Sequence, residues 1–500
     1  MVVAAVFMTN LDLWIVNVAL PAIGTGFGAP GRPTSLSALS WVLNAYAVGL
    51  AALLIVAGRL GDRIGHRRVF LVGVAAFTVA SGLCAIAPNL PVLVAARVLQ
   101  AAGAAAQLPT SLALLLAAAP VERRTAVARG WSAVGALAAA AGPVIGGLLV
   151  GWSWRWVFVV NLPIGLASLL VGRWVLPQPP VRQREPLPDL AGAGLVTVAV
   201  GALSGALVQA PDWGWHSPAT LSLFGLAAVA GAVFVRRCMT HRHPLFELNL
   251  LRIRGFGLAN AAAFTFSIAF SIMLLSNVLW CQQLWHYSAL RTGLAMMPGP
   301  ALVPVVTVLS SRAVRRFGSG PLAAAGSVLF AAAMLWRVGA VSIRPDYLFD
   351  LLPSMVLGGS GVGLALGTLI AAGATALPAH RSATGSAMIN AGRQVAAAVG
   401  VAILVSLLGN RLTAATLTSF REAWTVAAVL SLLAGLLAVG LRRPVPEPDV
   451  PESNVSAPVV PESVAPQLDV SEPVVSAPDG SASNAVAVER VRPGLGSLRS

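Results

Sequence analysis

Apolar runs of about 20 residues recur along the entire chain, and they limit the fold more than any other feature of the sequence. A helix of that length crosses the hydrocarbon layer of a bilayer, which is ~30 Å thick. Because the runs are continuous rather than alternating, they exclude a β-barrel. The sequence therefore predicts an all-α polytopic membrane protein embedded in the lipid bilayer. The runs number fourteen, at about 2–24, 40–57, 69–87, 90–117, 131–151, 157–176, 190–210, 219–235, 256–280, 291–310, 319–341, 348–371, 384–409 and 423–441.

The charged residues support this prediction and argue against a nucleic-acid partner. Of the 500 residues, 57% are hydrophobic and only 10% are charged, against about 25% charged in soluble globular chains. The net charge of +15 comes from arginine, since the chain contains no lysine. Residues 1–441 hold 28 arginines and 10 acidic residues. The arginines concentrate in short connections between the runs, which indicates membrane orientation rather than binding of nucleic acid.

The connections on one side of the membrane carry most of these arginines. With the N-terminus inside, the cytoplasmic connections contain Arg59, Arg63, Arg67, Arg68, Arg123, Arg124, Arg129, Arg182, Arg184, Arg236, Arg237, Arg242, Arg252, Arg254, Arg312, Arg315 and Arg316. The outer segments carry only scattered ones, namely Arg32, Arg155, Arg291, Arg337, Arg344, Arg411 and Arg421. Basic residues remain on the cytoplasmic side of such proteins. The sequence thus predicts a multi-pass protein of the cell membrane with both termini cytoplasmic.

The C-terminal segment, 442–500, has a different composition from the rest of the chain. It is rich in Pro, Ser, Val and Glu, and it repeats the short strings VPES and VSAP. Such a segment buries too little apolar surface to offset the entropy of ordering. We therefore predict a disordered cytoplasmic tail.

One carboxylate, Asp12, lies about halfway along the first apolar run, within LDLWIVNVALP at 11–21. An ionisable side chain at that depth is costly in lipid, and it usually faces a polar pathway. The other acidic residues fall in connections, near the ends of runs or in the tail. Asp346 and Asp350 are the nearest rivals, and both lie near the outer edge of the twelfth run. Asp12 is therefore the best candidate for a proton site.

The connection between the second and third runs reads GRLGDRIGHRR at 58–68. It resembles the GxLaDrxGrkxxl motif that the major facilitator superfamily carries at this place. The resemblance implies a gating loop that holds the outward-open state of the transporter, formed here by Gly58, Gly61, Asp62, Arg63, Gly65 and Arg67. The corresponding connection of the second half, SRAVRRFG at 311–318, keeps arginines and glycine but has Arg315 where the acid would fall. This partial repeat of the motif is typical of a transporter built from two related halves.

The fourth run contains a second membrane-embedded charge, Arg97, followed three residues later by Gln100. Residues three apart share one face of a helix. The pair resembles the superfamily's RxxQG motif, with Ala101 in place of the glycine. This motif is linked in the family to proton coupling. The resemblance therefore implies that Asp12 and Arg97 form the coupling centre.

The fifth run contains Gly142, Pro143, Gly146 and Gly147. Proline loosens a helix and glycines admit a close neighbour. The spacing resembles the antiporter motif gxxxGPxxGG, with Ala138 at its first glycine position. This resemblance implies export rather than import.

The string WRWVFVVNLPIG at 154–165 and the opening stretch resemble the fourteen-span drug:proton antiporters of the EmrB/QacA type, as does GSAMINAGRQVAAAVG at 385–400. The resemblance implies a major facilitator fold of two six-helix bundles plus two extra central helices. The implied segments are an N-terminal bundle at 1–176, two additional helices with a cytoplasmic linker at 177–254, a C-terminal bundle at 255–441, and the tail at 442–500.

The function that this resemblance implies is proton-coupled efflux of amphipathic drugs or antibiotics by alternating access. No cofactor is expected, since the proton gradient drives transport, and one chain is expected to function as a monomer. Polar residues of several runs are candidates for the wall of a substrate cavity, namely Asn17, Asn44, Tyr46, Gln100, Asn390 and Gln394.

Other classes of function have less support in the sequence. No P-loop, GxSxG or HExxH motif occurs, so an enzyme is not expected. The three cysteines are widely spaced, and no Cys/His spacing predicts a metal site. Export of an endogenous secondary metabolite remains an alternative to drug efflux. A non-transporting scaffold or sensor with a transporter-like fold is another, although such a protein has no need of a buried charge.

Overall fold

The computed structural model describes residues 1–28, 34–176, 188–378, 381–409 and 416–441. Within these residues, fourteen helices are long and apolar enough to span a membrane, which confirms the predicted fold class. They are α1 Val2–Phe27, α2 Leu36–Ile64, α3 His66–Ala85, α4 Leu90–Ala118, α5 Arg124–Trp152, α6 Trp156–Val175, α7 Leu190–Trp213, α8 Pro218–Thr240, α9 Arg254–Leu284, α10 Ala289–Phe317, α11 Ser319–Ala340, α12 Tyr347–Thr375, α13 Ser382–Leu408 and α14 Thr416–Val439. The predicted tail at 442–500 lies outside the described residues.

Short polar side chains fix where several helices begin. Ser35, Asn89, Asp189, Ser217 and Ser288 each accept a hydrogen bond from a backbone amide in the first turn of the following helix. This cap satisfies one of the amides that a helix start leaves without an internal partner. Helices α2, α4, α7, α8 and α10 therefore each begin with a serine, asparagine or aspartate cap.

The arginine-rich connection at 58–68 is almost entirely helical, which differs from the loop expected from the sequence. Helix α2 continues to Ile64 and α3 begins at His66, so Gly65 alone separates them. Gly65 has φ of 100°, which favours glycine over residues with a side chain. Gly318 repeats this arrangement between α10 and α11 with φ of 91°. The two halves therefore share a one-residue turn at equivalent positions.

The contacts between helices repeat from one half to the other. In the first half, α1 packs on α5, α2 on α4, and α3 on α4 and α6. In the second half, α9 packs on α13, α10 on α12, and α11 on α12 and α14. The same ordinal pairs are thus used twice, as expected for two six-helix bundles. The exact segment boundaries inferred from the sequence stay predictions.

The two bundles meet through reciprocal helices, and the extra pair packs beside one of these contacts. Helix α2 contacts α13, and α5 contacts α10. Helices α7 and α8 pack on each other, while α7 also contacts α2 and α13. The interior of the first bundle, between α1, α3, α4 and α6, holds the polar cluster described next.

Candidate functional site

Asp12 and Arg97 form an ion pair inside the first bundle. The Arg97 Nη1 and Asp12 Oδ2 atoms are 2.5 Å apart, and the two side chains are 1% and 0% exposed, respectively. Asp12 projects from α1 and Arg97 from α4, so the pair joins two helices that are distant in sequence. A buried charge of either sign is costly without a partner, and here each offsets the other.

Two amide side chains complete the hydrogen bonding of the Asp12 carboxylate. Gln100 Nε2 donates to Asp12 Oδ1 at 2.9 Å, and Asn161 Nδ2 donates to the same oxygen at 3.2 Å. Both amides also reach Ser81 Oγ of α3, at 2.9 and 3.3 Å. Gln100 in turn accepts from Arg97 at 2.7 Å. The carboxylate thus receives three hydrogen-bond donors from α4 and α6.

Asn161 and Ser81 were not singled out from the sequence. Asn161 belongs to the string WRWVFVVNLPIG, and it is the one polar amide in the apolar stretch that follows the two tryptophans. Its helix α6 is interrupted by a turn at Val160, directly before Asn161, and the Asn161 side chain is fully buried. A buried amide within a spanning helix is itself a pointer to a polar cluster.

Tyr46 lies directly against the ion pair. Its ring packs on the Arg97 guanidinium, with the carbon atom of the guanidinium 4.1 Å from the ring centroid. Arg97 Nε donates to the Val42 carbonyl at 3.1 Å, also in α2. The Tyr46 hydroxyl and both polar atoms of the Asn44 side chain are buried without a hydrogen-bond partner in the described part of the chain. Helix α2 therefore carries one unpaired hydroxyl against the ion pair, at Tyr46, and a buried unpaired amide at Asn44.

Asn17, Asn390 and Gln394 are not brought to this cluster. Asn17 donates to Leu13 O of its own helix at 2.7 Å, and Asn390 donates to Ser386 O at 2.9 Å. Asn390 also accepts from Arg393 at 3.2 Å, and Gln394 is half-buried on α13. Their role in a substrate cavity stays a prediction.

The glycines of the fifth helix bring α5 close to both α1 and the second bundle. A Cβ on Gly146 would lie 3.2 Å from Ile15 Cα, and one on Gly142 would collide with Trp14. On another face, a Cβ on Gly147 would lie 2.5 Å from the Ala289 carbonyl oxygen. The backbone of Pro143 likewise packs against Gly293 of α10. The motif therefore couples the helix that carries Asp12 to the opposite half.

The arginine-rich connection is tied to its neighbours on the side where α1 begins. His66 Nε2 and Asp62 Oδ1 are 3.3 Å apart, across the Gly65 turn. A Cβ on Gly61 would lie 3.0 Å from Thr110 Cγ2, and one on Gly58 would lie 3.8 Å from Pro109. These contacts pack the end of α2 against the end of α4. The motif's remaining arginines lie on adjoining turns: Arg63 on the last turn of α2, and Arg67 on α3, where it donates to Arg173 O at 2.6 Å.

A second arginine, Arg337, belongs by sequence to the scattered arginines of the outer segments, and the structure shows that its side chain is enclosed within the bundle. Arg337 lies near the end of α11 and is only 1% exposed. It donates to Ser354 Oγ of α12 at 2.9 Å and to Asn277 Oδ1 of α9. No carboxylate pairs with it among the residues that the structure describes. The same residues contain no cluster of His, Cys, Asp and Glu suited to a metal ion.

Comparisons with known proteins agree with this architecture. The sequence profile of the Major Facilitator Superfamily matches residues 2–401. The chain is 37% identical to the multidrug resistance protein Stp of Mycobacterium tuberculosis, over 82% of this chain and 75% of that one. It is 32% identical to the methylenomycin A resistance protein of Streptomyces coelicolor, over 79% of this chain and 82% of that one. It is 31% identical to the tetracenomycin C resistance and export protein of Streptomyces glaucescens, over 82% and 75%.

A solved structure shares the fold at much lower sequence identity. It is an auto-inhibited peptide transporter of the POT family, which superposes with a TM-score of 0.63. The two chains are 16% identical, and the match covers 89% of this chain and 97% of the other. Similarity at that level of identity supports the common fold of the two bundles and no more.

Proposed function

Since the chain belongs to the major facilitator superfamily, a family of membrane transporters and not of enzymes, we propose that it exports small amphipathic compounds across the cell membrane in exchange for protons. Asp12 binds the exchanged proton, and Arg97 is the counter-charge that stabilises the unprotonated state. The N-terminus and the arginine-rich connections face the cytoplasm. One chain carries out transport as a monomer, because both bundles and the cluster between α1 and α4 are complete within it.

The observation that carries this proposal is the enclosed Asp12–Arg97 pair. A structural role needs no ionisable pair at this depth, because apolar residues of similar volume are often equally stabilising. Protonation of Asp12 cancels the charge that faces Arg97 and converts one of its two carboxylate oxygens into a hydroxyl donor, which weakens the hydrogen bonds from Arg97, Gln100 and Asn161. One proton therefore changes the contacts of α4 and α6 with α1. A proton that crosses the membrane in this exchange contributes ~2.3 kcal/mol per 100 mV of membrane potential.

The contacts of α1 and α5 with the second bundle offer a route from this cluster to the gate. Val18 O of α1 accepts a hydrogen bond from Gln282 Nε2 of α9 at 2.9 Å. Gly147 of α5 touches Ala289 at the start of α10. These contacts lie on the side opposite the N-terminus and hold the bundles together there. Release to the outside requires them to separate, and a shift of α1 after protonation favours that separation.

The connection between α2 and α3 acts on the cytoplasmic side of the same cycle. The Asp62–His66 pair joins the end of α2 to the start of α3, and the Gly61 contact with Thr110 packs α2 against α4, the helix that carries Arg97. Asp62→Asn removes the charge that faces His66 and is expected to slow transport while leaving the Asp12 cluster intact. Unchanged transport by this variant, measured beside Glu247→Gln in the linker as a control, rejects the gating role.

The relatives bear on the compounds transported. Their names associate them with multidrug resistance and with resistance to, or export of, methylenomycin A and tetracenomycin C. For this chain, we propose drug or antibiotic efflux, and export of an endogenous secondary metabolite is the alternative that the same names favour. A susceptibility panel in an efflux-deficient host distinguishes them, because a broad shift across unrelated drugs supports multidrug efflux and a shift for one structural class supports dedicated export.

The experiment for the coupling role compares Asp12→Asn with Asp350→Asn in inverted membrane vesicles. Asp350 is also a buried carboxylate, 7% exposed, but it bonds to Ser342 at the far side and not to the Arg97 cluster. We expect Asp12→Asn to abolish substrate-induced proton release, while Asp350→Asn retains it. Normal proton-coupled efflux by Asp12→Asn contradicts the assignment of the proton site.

A further inference from the structure

Arg337 is a buried cation whose hydrogen-bond partners are all neutral. Its Nε donates to Ser354 Oγ at 2.9 Å, and Nη1 donates to Asn277 Oδ1. Ser354 has already committed its own proton to Leu351 O at 2.7 Å, so it can only accept from the arginine. The remaining terminal nitrogen, Nη2, is enclosed and lacks any acceptor in the described part of the chain. The guanidinium thus keeps both its charge and an unused donor inside the bundle.

A second donor nearby along α9 is also without an acceptor. Trp280, three residues after Asn277, has a buried Nε1 with no hydrogen-bond partner among the described residues. Its ring packs against Trp424 and Phe420 of α14, which keeps water away from this part of the helix. The second bundle therefore holds an excess of buried donors at this level, whereas native proteins generally pair such groups.

The two helices that supply the hydrogen-bond partners of Arg337 each contain a π-helical turn close to that partner. The π-helical turn Trp280–Leu284 follows Asn277 in α9, and the π-helical turn Tyr347–Leu351 precedes Ser354 in α12. Such turns are rare, and they occur frequently at functional sites.

The position of Arg337 on its helix offsets only part of the cost of burying its guanidinium. Arg337 lies in the last turn of α11, where the helix dipole favours a cation. That effect acts on the charge, but it leaves the Nη2 donor without an acceptor. An enclosed charge ordinarily requires a partner of opposite sign.

We propose that Arg337, with Asn277 and Ser354, forms a binding site for a monovalent anion in the second bundle. The anion is a small inorganic ion such as chloride, or the carboxylate of a transported compound; both offer the acceptor that Nη2 lacks. Because the site is enclosed, the anion enters when α9, α11 and α12 separate. Only this last step rests on the proposed transport cycle, since binding itself is measured without transport.

Thermal unfolding of the purified full-length protein in detergent tests the site. In one series, sodium chloride replaces sodium gluconate at constant ionic strength. In another, sodium benzoate is compared with neutral benzamide. A ligand that binds the folded state raises the melting temperature in a saturable manner. We expect a rise of roughly 2–4 °C at saturation for one of the two anions, and no rise for benzamide.

Two variants locate the effect. Arg337→Gln removes the charge and is expected to abolish the anion-dependent rise. Arg291→Gln is the control, because Arg291 is exposed and stacks on Tyr287 at 3.9 Å, away from any buried donor. A chloride response in the wild type and in Arg291→Gln alone identifies an inorganic anion, while a response to benzoate alone identifies a carboxylate.

Two results overturn the proposal. If neither anion stabilises the wild type, no anion site exists, and this result needs no variant. If Arg337→Gln responds as the wild type does, the anion binds elsewhere. Should Arg337→Gln not fold, Arg337→Lys keeps the charge but offers a single donor centre, and an unchanged anion affinity in that variant also rejects the site.

Discussion

Arg97 in the first bundle and Arg337 in the second are equally buried, at 1% exposed each, but their surroundings differ in charge. Arg97 contacts the Asp12 carboxylate at 2.5 Å, whereas Arg337 contacts the amide of Asn277 and the hydroxyl of Ser354. Both clusters use the first, third and fourth helices of their halves, and the first cluster adds Asn161 from the sixth helix. The first helix supplies Asp12 in one half and Asn277 in the other.

The arginine and the serine exchange places between the halves. In the first bundle, the third helix supplies Ser81 and the fourth supplies Arg97. In the second bundle, the third helix supplies Arg337 and the fourth supplies Ser354. The repeat thus preserves a polar cluster at one place in the fold, but only the first copy can exchange a proton on a carboxylate. The difference supports the proposed proton site in the first half, because the second cluster holds an arginine without a paired carboxylate among the described residues.

The largest expected effect comes from removing the arginine of the complete pair. Arg97→Gln leaves the Asp12 carboxylate buried without a cation, and breaking a buried pair in this way costs about 3–5 kcal/mol. We expect a large fall in melting temperature and loss of proton-coupled transport. Arg155→Gln is the control, because Arg155 also packs on an aromatic ring, at 4.3 Å from Trp154, without contacting a carboxylate.

A double variant separates charge from packing in the same cluster. Combining Arg97→Gln with Asp12→Asn removes both charges, so much of the lost stability should return, while transport should not. If the double variant is no more stable than Arg97→Gln, the Asp12 carboxylate is not the source of the destabilisation.

The next largest effect is expected from a substitution that gives the second cluster a carboxylate like that of the first. Asn277→Asp keeps the size of the side chain and places a carboxylate against Arg337 Nη1. A hydrogen bond to a charged partner contributes about 1.5–3 kcal/mol, so we expect a higher melting temperature, measured by the same unfolding assay. The variant should also lose any response to chloride or benzoate, since Arg337 then has an internal anion. A lower melting temperature together with an intact anion response is incompatible with an uncompensated Arg337.

These two clusters also show which features of the structure the sequence predicts and which it does not. The fourteen helices follow from the length and polarity of the apolar runs, because a spanning helix must satisfy its backbone internally. Asp12 and Arg97 are detectable for the same reason: a charge in an apolar run is costly wherever the chain folds. Their contact is a different matter, since it depends on how α1 and α4 pack. Spacing along one helix gives the face of Gln100, but no spacing relates α1 to α4.

Arg337 shows why the sequence did not predict the second polar cluster. It lies close to the end of its apolar run, where an arginine normally reaches the membrane surface. Whether such a side chain extends outwards or folds into the bundle depends on partners from other helices, here Asn277 and Ser354, and these are neutral residues that carry no signal of their own. Gly65 presents the converse case, because its glycine was recognised but the continuation of α2 to Ile64 was not. The positive φ of one residue was sufficient to make the turn.

A smaller effect comes from the serines that the two clusters exchange. Ser354 accepts from a guanidinium, so Ser354→Ala removes a charged hydrogen bond and should cost about 1.5–3 kcal/mol. Ser81 accepts from the neutral amides of Gln100 and Asn161, both of which also bind Asp12. Ser81→Ala should therefore cost about 1 kcal/mol. Equal losses in the two variants, measured by unfolding, imply that Arg337 carries no more uncompensated charge than its counterpart.

The smallest effect provides a reference outside the membrane-spanning segments. Asp189 caps α7 through the Gly192 amide and pairs with Arg237 at the end of α8, each at 2.8 Å. Burial raises the pKa of Asp189. The hydrogen bonds from Gly192 and Arg237, together with the Arg237 charge, lower it by more than burial raises it, so the net pKa lies below its ordinary value. Because Arg237 is 31% exposed, solvent screens the pair, and such pairs contribute about 0.2–1 kcal/mol.

Asp189→Asn keeps a capping side chain and removes only the charge, so we expect a loss of about 1 kcal/mol or less. A carboxylate with a lowered folded-state pKa contributes its full stability above the unfolded value of about 3.9, and loses that contribution as pH falls through the folded value. The difference between wild type and Asp189→Asn should therefore be constant from pH 8 to pH 5 and disappear in stronger acid. High salt should reduce it, whereas the enclosed Asp12–Arg97 pair should be insensitive to salt. If Asp189→Asn destabilises as strongly as Arg97→Gln, enclosure within the bundle is not what distinguishes the Arg97 cluster.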